Sequence, residues 1–394
     1  MTIDTPRDDE SSQQHAKPAW SCLNDVTILD VSQLLPGPHA CALLRQLGAD
    51  VIKIEPPLTG DASRLLGDAV FAQFNRGKRS VALDLKAPAD RDRFLELVRC
   101  ADAVVEGFRP GVMARLGIGY DTLARINPRI VMCSISGYGQ DGPNAARPGH
   151  DLNFLAEAGF WAIPAQVDDV VGRPRVRLAD YAAAMHAALS LSVAVMSARA
   201  NGHGQHLDVS IHDATLAWTA PAAWASRAHR AAPSDAPWVM PDNDLFETAD
   251  GRHLALGILE DKFWMTLGDA LGDAFPALRD LRFARRVGRQ QHKCEISELL
   301  KSVFASRTLA EWMHVLRGFD LPVSPLLGPD ELFADPHVRA RGVAHEIDGA
   351  LAVRFPVKFS LGLPDGDEHV PHLGEHDASR PRTTAHTKTT RRHE

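Results

Sequence analysis

The chain has 394 residues, more than the roughly 250–300 residues at which a single hydrophobic core stops growing, so two domains are expected. Hydrophobic residues make up 45% and charged residues 24%, which is ordinary for a soluble globular enzyme. The 43 Lys and Arg residues against 50 Asp and Glu residues give a net charge of −7. This balance argues against a dedicated nucleic-acid-binding protein.

The cysteine pattern indicates a reducing compartment. The five cysteines are scattered and form no C-x-x-C pair, so neither a disulfide framework nor a structural zinc site is expected. The polar N-terminus, Met1–Pro18, lacks the features of a signal or transit peptide. The longest apolar run, Tyr181–Ala198, contains a histidine and three serines, which favours a buried core helix over a membrane span. These features predict a cytoplasmic protein without a membrane partner.

Strands alternate with helices over the first ordered part of the chain. The apolar run Val26–Val31 predicts a buried strand, and Pro38 marks the start of a helix that Gly48 ends. Val51–Ile54 completes a βαβ unit, and the alternation continues to Ile130–Ser136. This pattern predicts an α/β fold whose large domain is a Rossmann-like, doubly wound parallel sheet.

The later part of the chain predicts a smaller α+β domain. Tyr181–Ala198 predicts a long helix, residues 227–241 are rich in Ala and Pro, and strands then precede helices from Asp261 to about Leu316. The expected division is a disordered tail at 1–19, a large domain at 20–226, a linker at 227–241, a small domain at 242–334, a return segment at 335–376 that packs on the large domain, and a disordered tail at 377–394.

The loops around the predicted sheet exclude the common nucleotide motifs. Ser32–Gly37, after the first strand, holds one glycine where G-x-G-x-x-G would be needed, and no Walker A motif occurs. NAD and ATP are therefore disfavoured. Two further loops, Asn75–Arg79 and Glu106–Gly111, carry cations that could bind phosphates, although composition alone favours solvated turns.

Charged residues stand at three predicted helix starts. His150 would lie at the positive end of a helix dipole, which favours the neutral imidazole, and Asp151 would be a natural N-cap. Asp180 directly precedes the Tyr181–Ala198 helix, and Glu260 begins another. Taken singly, capping is the default role of each carboxylate.

In combination these motifs resemble CoA-transferase family III, the L-carnitine dehydratase/bile-acid-inducible protein F type, which also contains α-methylacyl-CoA racemases. The resemblance covers roughly residues 23–373. It is carried by LLPGP (34–38), LGADVIKIEPP (47–57), NRGKRSVALDLK (75–86), EGFRPGVMARLGIGYD (106–121), SISGYGQDGP (134–143), GHDLNF (149–154), LADY (178–181), GHGQHLDVSIHDA (202–214), DGRHLALGILEDKFW (250–264) and DPHVRARG (335–342).

The site motifs are most similar to those of the racemases. GHDLNF, ILEDKF and the lack of a glycine run between Ala231 and Asp250 carry this likeness. The resemblance implies that His150 and Asp180 act as two bases on opposite faces of an acyl-CoA α-carbon, and that Glu260 orients the histidine. We therefore expect a 2-methylacyl-CoA racemase (epimerase) that transfers a proton through an enolate.

Two other functions stay open. Val176 occupies the position, four residues before Asp180, where racemases often carry an asparagine. The alternative is a family III CoA-transferase that moves CoA between carboxylic acids through an acyl adduct on Asp180. A non-catalytic CoA-binding protein, in which His150 and Asp180 are only helix caps, is the third hypothesis.

The resemblance also implies that the large domain at 20–226 is a CoA-binding domain. No metal or prosthetic group is implied, because CoA enters as part of the acyl-CoA substrate. Pro56 stands where some relatives have an arginine near the adenine. Family members resemble interlocked dimers, so a homodimer is expected. The residues expected to contact CoA are Leu35, Pro36, Asn75, Arg76, Lys78, Glu106, Phe108, Arg109 and Arg147.

Overall fold

The computed structural model describes residues 23–164, 167, 172–228, 236–347, 350–363 and 368–376. The predicted tails at 1–19 and 377–394 lie outside these residues, as do residues 229–235 of the predicted linker.

A six-stranded sheet forms where the sequence predicts the large α/β domain. Its strand order, β3-β2-β1-β4-β5-β6, is the 3-2-1-4-5-6 order of dinucleotide-binding folds. The pairings of β1 with β2 and β4, of β2 with β3, and of β4 with β5 are parallel. The α/β fold prediction is therefore confirmed. The strands are β1 (Thr27–Asp30), β2 (Asp50–Glu55), β3 (Arg79–Ala82), β4 (Ala103–Glu106), β5 (Val131–Ser136) and β6 (His206–Ser210).

Helices separate these strands along the chain. Proline occupies the first position of two of them, Pro36 and Pro88, where its fixed φ and missing N–H cost nothing. The first helix thus begins two residues before the predicted Pro38. The helices are α1 (Pro36–Gln46), α2 (Asp68–Asn75), α3 (Pro88–Val98), α4 (Val112–Arg115), α5 (Tyr120–Ile126), α6 (Asp151–Glu157), α7 (Leu178–Asn201) and α8 (Ile211–Ala228).

A second, antiparallel sheet follows, joining β7 to β8 and β8 to β9. Its core includes the buried rings of Trp264, Phe304 and Trp312. The sequence predicts β7, β8 and the helices after them, but not β9. These elements are β7 (Asn243–Glu247), β8 (His253–Gly257), β9 (Val323–Pro325), α9 (Asp261–Leu271), α10 (Arg286–Gln291), α11 (Lys293–Phe304), α12 (Leu309–Leu316), α13 (Pro329–Ala334) and α14 (Pro336–Arg341); a separate two-stranded sheet is formed by β10 (Ala344–Ile347) and β11 (Ala350–Val353).

The chain divides into two compact units that are interleaved along the sequence. Unit 1 is Met1–Ser134, Ala187–Leu207 and His345–Glu394, and unit 2 is Ile135–His186 and Asp208–Ala344. The predicted domain limits at 226, 242 and 334 instead divide the chain into consecutive domains. Residues 368–376 are tied to the first stretch of unit 1: the Gly77 N–H donates to His369 O (2.7 Å), and the His376 N–H donates to Ser80 O (2.9 Å).

Helix α7 alone, among the described helices, is long and apolar enough to cross a membrane by length and composition. Half of its most apolar window is buried inside the protein. Ala182, Ala183 and Ala187 are fully enclosed, as in the core helix of a soluble protein. The helix begins at Leu178, three residues before the predicted start.

A buried network of charges lies at the carboxyl end of β1. The ammonium of Lys78 has three protein acceptors: Asp30 Oδ2 at 2.8 Å, Pro38 O at 2.9 Å and Asn75 Oδ1 at 2.9 Å. Lys53 lies 3.6 Å from Asp30 Oδ1. Burial opposes ionisation of Asp30, but the two lysines outweigh it and hold the pKa of its carboxyl below the usual value.

The network also holds the loop after β1. Lys53 binds Asp61 Oδ2 at 2.8 Å, and Asp61 Oδ1 accepts the N–H groups of Leu34 (3.1 Å) and Ser63 (2.8 Å). Leu34 has a φ of +66°, which is costly for a residue with a Cβ. The charges therefore keep a strained turn in place directly before Leu35.

We expect Lys78→Met to lower the free energy of unfolding by about 3 kcal/mol, because Asp30 would keep only the more distant Lys53 as counter-ion. Lys86→Met, which changes an exposed lysine of the same unit, is the matched control and is expected to stay within about 0.5 kcal/mol of the wild type. Urea denaturation measures both. Equal unfolding free energies for the two variants would contradict the structural role of Lys78.

Candidate active site

The predicted site residues fall into two groups, each contained in one unit. Arg147, His150, Asp180 and Glu260 belong to unit 2. The remaining residues expected to contact CoA belong to unit 1.

The start of α7 is bound to the start of α6. Asp151 is buried, and its Oδ1 accepts the N–H groups of Ala179 (2.8 Å) and Asp180 (3.3 Å). These are among the backbone donors that a helix start leaves unsatisfied. The prediction that Asp151 caps its own helix is wrong: His150 is the residue before α6, and Asp151 caps α7.

Asp180 is an unusual carboxylate. It is the third residue of α7 rather than the residue before it, and it is partly buried. Burial, and then the nearby charge of Asp151, raise the pKa of Asp180 to about 7, against an opposing effect of Arg177. Near neutral pH the group is therefore present both as a nucleophilic carboxylate and as an acid.

His150 lies one residue from Asp151 and so belongs to the same corner. Its side chain is exposed, and its backbone N–H donates to Asn153 Oδ1 (3.0 Å). Glu260 is also exposed and precedes α9. No hydrogen bond joins Glu260 to His150 in the part of the chain that the structure describes, so the predicted orienting role stays a prediction.

The turn that carries Glu260 is held by its neighbour. Asp261 Oδ1 accepts the N–H of Arg286 (2.6 Å) and lies 3.1 Å from Arg289 Nη1. Arg289 is fully buried and also pairs with Asp242 Oδ2 at 2.6 Å. An ion pair inside unit 2 therefore fixes the backbone beside Glu260.

Arg147 is already engaged within unit 2. Its guanidinium pairs with Glu157 Oε1 at 2.7 Å and lies 5.8 Å from the centre of the Tyr138 ring. The pair is half-exposed, so it contributes little to stability. A ligand would have to compete with Glu157 for this arginine.

In unit 1, two groups of predicted residues lie at the point where the strand order reverses. Leu35 and Pro36 follow β1, and Glu106, Phe108 and Arg109 end or follow β4. The two strands are neighbours in the sheet. In open parallel sheets, ligands bind at the carboxyl ends of the strands at this reversal.

The details at this edge favour an anionic ligand near Arg109. Glu106 is buried and accepts the Phe108 N–H (2.7 Å), which shapes the loop. Arg109 is exposed. Among the described residues no acceptor binds its guanidinium.

The other predicted cations are used inside the protein. Lys78 is enclosed by the three acceptors given above, and Asn75 donates to Phe71 O (3.1 Å). Arg76 donates to Glu368 O (2.7 Å). Phosphate binding by these residues stays a prediction, and the structure gives Lys78 and Asn75 a structural role that sequence reasoning missed.

Three comparisons bear on this arrangement. The model for "CoA-transferase family III" matches residues 23–377. The chain is 34% identical to an acetyl-CoA:oxalate CoA-transferase of Acetobacter aceti, over 89% of this chain and 93% of that protein. It is 30% identical to a succinate–glutarate CoA-transferase of Agrobacterium fabrum, over 90% and 94%. The solved structure of a CAIB/BAIF family protein from Brucella suis aligns with a TM-score of 0.80 at 28% identity, covering 91% and 98% of the two chains.

We expect Asp180→Asn to stabilise the fold more at pH 8 than at pH 5. The pKa of Asp180 is about 7 in the folded protein against an ordinary 3.8. Its contribution to stability is thus fully present below pH 3.8 and is lost as the pH rises towards 7. Asparagine cannot ionise and avoids this loss, a gain on the order of 2 kcal/mol at pH 8 after allowance for partial exposure. Thermal unfolding at both pH values measures it.

Two variants serve as references for this measurement. Asp151→Asn keeps an oxygen acceptor for α7 but removes the like charge, so the wild-type pH dependence is expected to become smaller. Asp269→Asn changes an exposed carboxylate of α9 and is expected to leave it unaltered. If Asp180→Asn and the wild type showed the same pH dependence, Asp180 would ionise as an ordinary surface carboxylate.

Proposed function

Because the chain belongs to CoA-transferase family III, we propose that it transfers CoA from an acyl-CoA thioester to a free carboxylic acid through a covalent adduct on Asp180. Two relatives matched along nearly their whole length are named as CoA-transferases. Their names favour the transferase over the racemase that the site motifs led us to expect. The observation that carries the proposal is Asp180, partly buried and close to half-ionised near neutral pH, at the start of α7.

In the first half of the reaction, a carboxylate oxygen of Asp180 attacks the thioester carbonyl. The C–S bond breaks, CoA leaves as a thiolate, and Asp180 and the acyl group form a mixed anhydride. The thiolate then attacks the carbonyl carbon of Asp180. The donor acid leaves as a carboxylate, and Asp180 holds CoA as a thioester.

In the second half, the acceptor carboxylate attacks this aspartyl thioester and again releases the CoA thiolate. The thiolate attacks the acyl carbonyl of the new anhydride, which forms the product thioester and frees the Asp180 carboxylate. Electron pairs and charges balance without a redox partner, and no proton is taken up or released overall.

The environment of Asp180 suits these steps. Burial and Asp151 make its ionised form less stable than in water, so forming the neutral anhydride relieves a cost that the folded protein already carries. Asp151 occupies the N–H groups of residues 179 and 180, which fixes the backbone from which the nucleophile projects.

For CoA itself, we propose the strand-order reversal of unit 1 as the binding edge. The turn containing Leu35 is fixed by the Asp61 network, and the exposed guanidinium of Arg109, which no described residue binds, offers donors for a phosphate. CoA is then a substrate component, and no prosthetic group takes part.

A racemase remains the second candidate, and one observation favours it. His150 is adjacent to Asp151, whose carboxylate accepts the N–H of Asp180. An imidazole and a carboxylate with a pKa of about 7 therefore lie in one corner of unit 2, and such a pair suits proton transfer at neutral pH.

We also propose that the chain is a cytoplasmic homodimer in which a second copy covers α7. Four large apolar side chains recur every three or four residues on this helix and are at least half exposed: Met185, Leu189, Val193 and Met196. This spacing places them on one face. The scattered cysteines and the proposed acyl-CoA substrate support the cytoplasmic location.

Transfer is tested with acetyl-CoA as donor and a panel of carboxylic acids as acceptors. We expect a new acyl-CoA only when an acid is present, and hydroxylamine is expected to trap an adduct on the Asp180 peptide, visible by mass spectrometry. Asp180→Asn is expected to lower the rate by about a thousandfold or more. Asp269→Asn is the matched carboxylate control.

The same protein is incubated with a chiral 2-methylacyl-CoA in D₂O without an acid. Deuterium entering the α-position, lost in His150→Ala, would identify a racemase and overturn the transferase. CoA binding with neither reaction would identify the non-catalytic alternative.

The dimer is tested by light scattering of the purified chain. The expected mass is twice the 42.9 kDa of one chain, and Leu189→Glu is expected to shift it towards the monomer, because it places a charge in the covered face. A monomeric wild type would contradict the proposal.

A further inference from the structure

Three arginines stand in the six residues before α7. Arg173, Arg175 and Arg177 alternate with Pro174 and Val176, and all three arginine side chains are exposed. None of the three guanidinium groups makes a hydrogen bond or ion pair with another described residue. We call residues 172–177 the arginine segment.

The arginine segment is tethered at both ends. At its beginning, Trp161 Nε1 donates to Gly172 O (2.8 Å). At its end, the Tyr181 N–H donates to Arg177 O (3.1 Å). Asp151 accepts the N–H groups of Ala179 and Asp180, which follow shortly after Arg177. The guanidinium groups are therefore carried on backbone anchored beside Asp180.

Arg177 is close enough to act on the reacting group. Its charge opposes the rise of the Asp180 pKa but does not cancel it. The positive charge of Arg177 is thus only partly used by Asp180, and those of Arg173 and Arg175 are not used by any described ion pair.

During the reaction, even less of the positive charge of the arginine segment is balanced. When Asp180 carries an acyl group or CoA it is neutral, so the arginine segment then has no adjacent nucleophilic carboxylate. A monocarboxylic acid cannot replace that charge, because its one carboxyl group is consumed in the anhydride or thioester. A dicarboxylic acid keeps its second carboxylate ionised throughout, and the planar guanidinium fork matches a carboxylate with two parallel hydrogen bonds.

We propose that the arginine segment, Arg177 foremost, binds the second carboxylate of a dicarboxylic substrate. This selects dicarboxylic acids and their CoA thioesters over monocarboxylic ones. The proposal rests on the proposed function, and the relatives named for oxalate and for succinate and glutarate act on acids of this class.

The test compares acids of equal chain length with acetyl-CoA as a donor that lacks a second charge. Succinate is paired with butyrate, and glutarate with pentanoate. For the wild type we expect kcat/KM to be about tenfold or more higher with each diacid. In Arg177→Gln this preference is expected to fall by about tenfold. Any effect of the lost charge on the ionisation of Asp180 is common to the two acids of a pair and leaves their ratio unchanged. Arg177→Lys is expected to show a diacid preference between those of the wild type and Arg177→Gln, because lysine keeps the charge but lacks the planar guanidinium fork.

Controls separate this role from two others. Arg317→Gln changes an exposed arginine elsewhere in unit 2 and is expected to match the wild type. A rise in KM for acetyl-CoA with every acid would mean that the segment binds the CoA phosphates, and this would overturn the proposal. Equal losses with diacids and monoacids would overturn it as well.

Calorimetry tests acid binding by the arginine segment independently of CoA transfer. Succinate and butyrate are titrated into the wild type and into the double variant Arg175→Gln, Arg177→Gln. Tighter binding of succinate by the wild type alone supports the arginine segment even if no CoA transfer is found, in which case only the proposed function fails. Equal affinity of the wild type for the two acids refutes the inference even if transfer occurs.

Discussion

The candidate site depends on one interaction, the acceptance of two α7 N–H groups by the carboxylate of Asp151. The same carboxylate does two things to Asp180. It fixes the backbone on which Asp180 stands, and its charge adds to the larger effect of burial in raising the pKa of Asp180 towards neutrality. Helix starts normally favour ionised carboxylates because their N–H groups are unsatisfied. Here those groups are already used, so the usual stabilisation of a carboxylate is withheld from Asp180.

Charge is used differently in the two units. In unit 1, Lys78 and Lys53 are buried against carboxylates and serve the architecture of the loop after β1. In unit 2, the arginines before α7 are exposed and lack such partners among the described residues. Among the cations that the sequence predicts to bind phosphates, burial separates the structural Lys78 from the exposed Arg109.

The parts of the fold that could be predicted are those with local causes. Val26–Val31 is mostly apolar, and prolines and glycines mark where helices begin and end, so the alternation of strands and helices and the fold class followed from short stretches. The short strand β9 has no such pattern. The partners of Lys78 and Asp151 were also unreadable, because Asp30 is 48 residues from Lys78 and Ala179 is 28 residues from Asp151. Residues such as His150 and Asp180 were found through family motifs, whereas their electrostatics required the fold.

The interleaving of the two units has a consequence for how the chain is made. Unit 1 draws on three separate stretches, the last beginning at His345, and unit 2 on two. Domains usually fold as their residues leave the ribosome, but the first sheet here waits for His206–Ser210, and the contacts of Gly77 and Ser80 wait for His369 and His376. A ribosome stalled after Ala344 would therefore have made every residue of unit 2 but only part of unit 1. The segment with the proposed CoA-binding edge is synthesised first and becomes fully supported last.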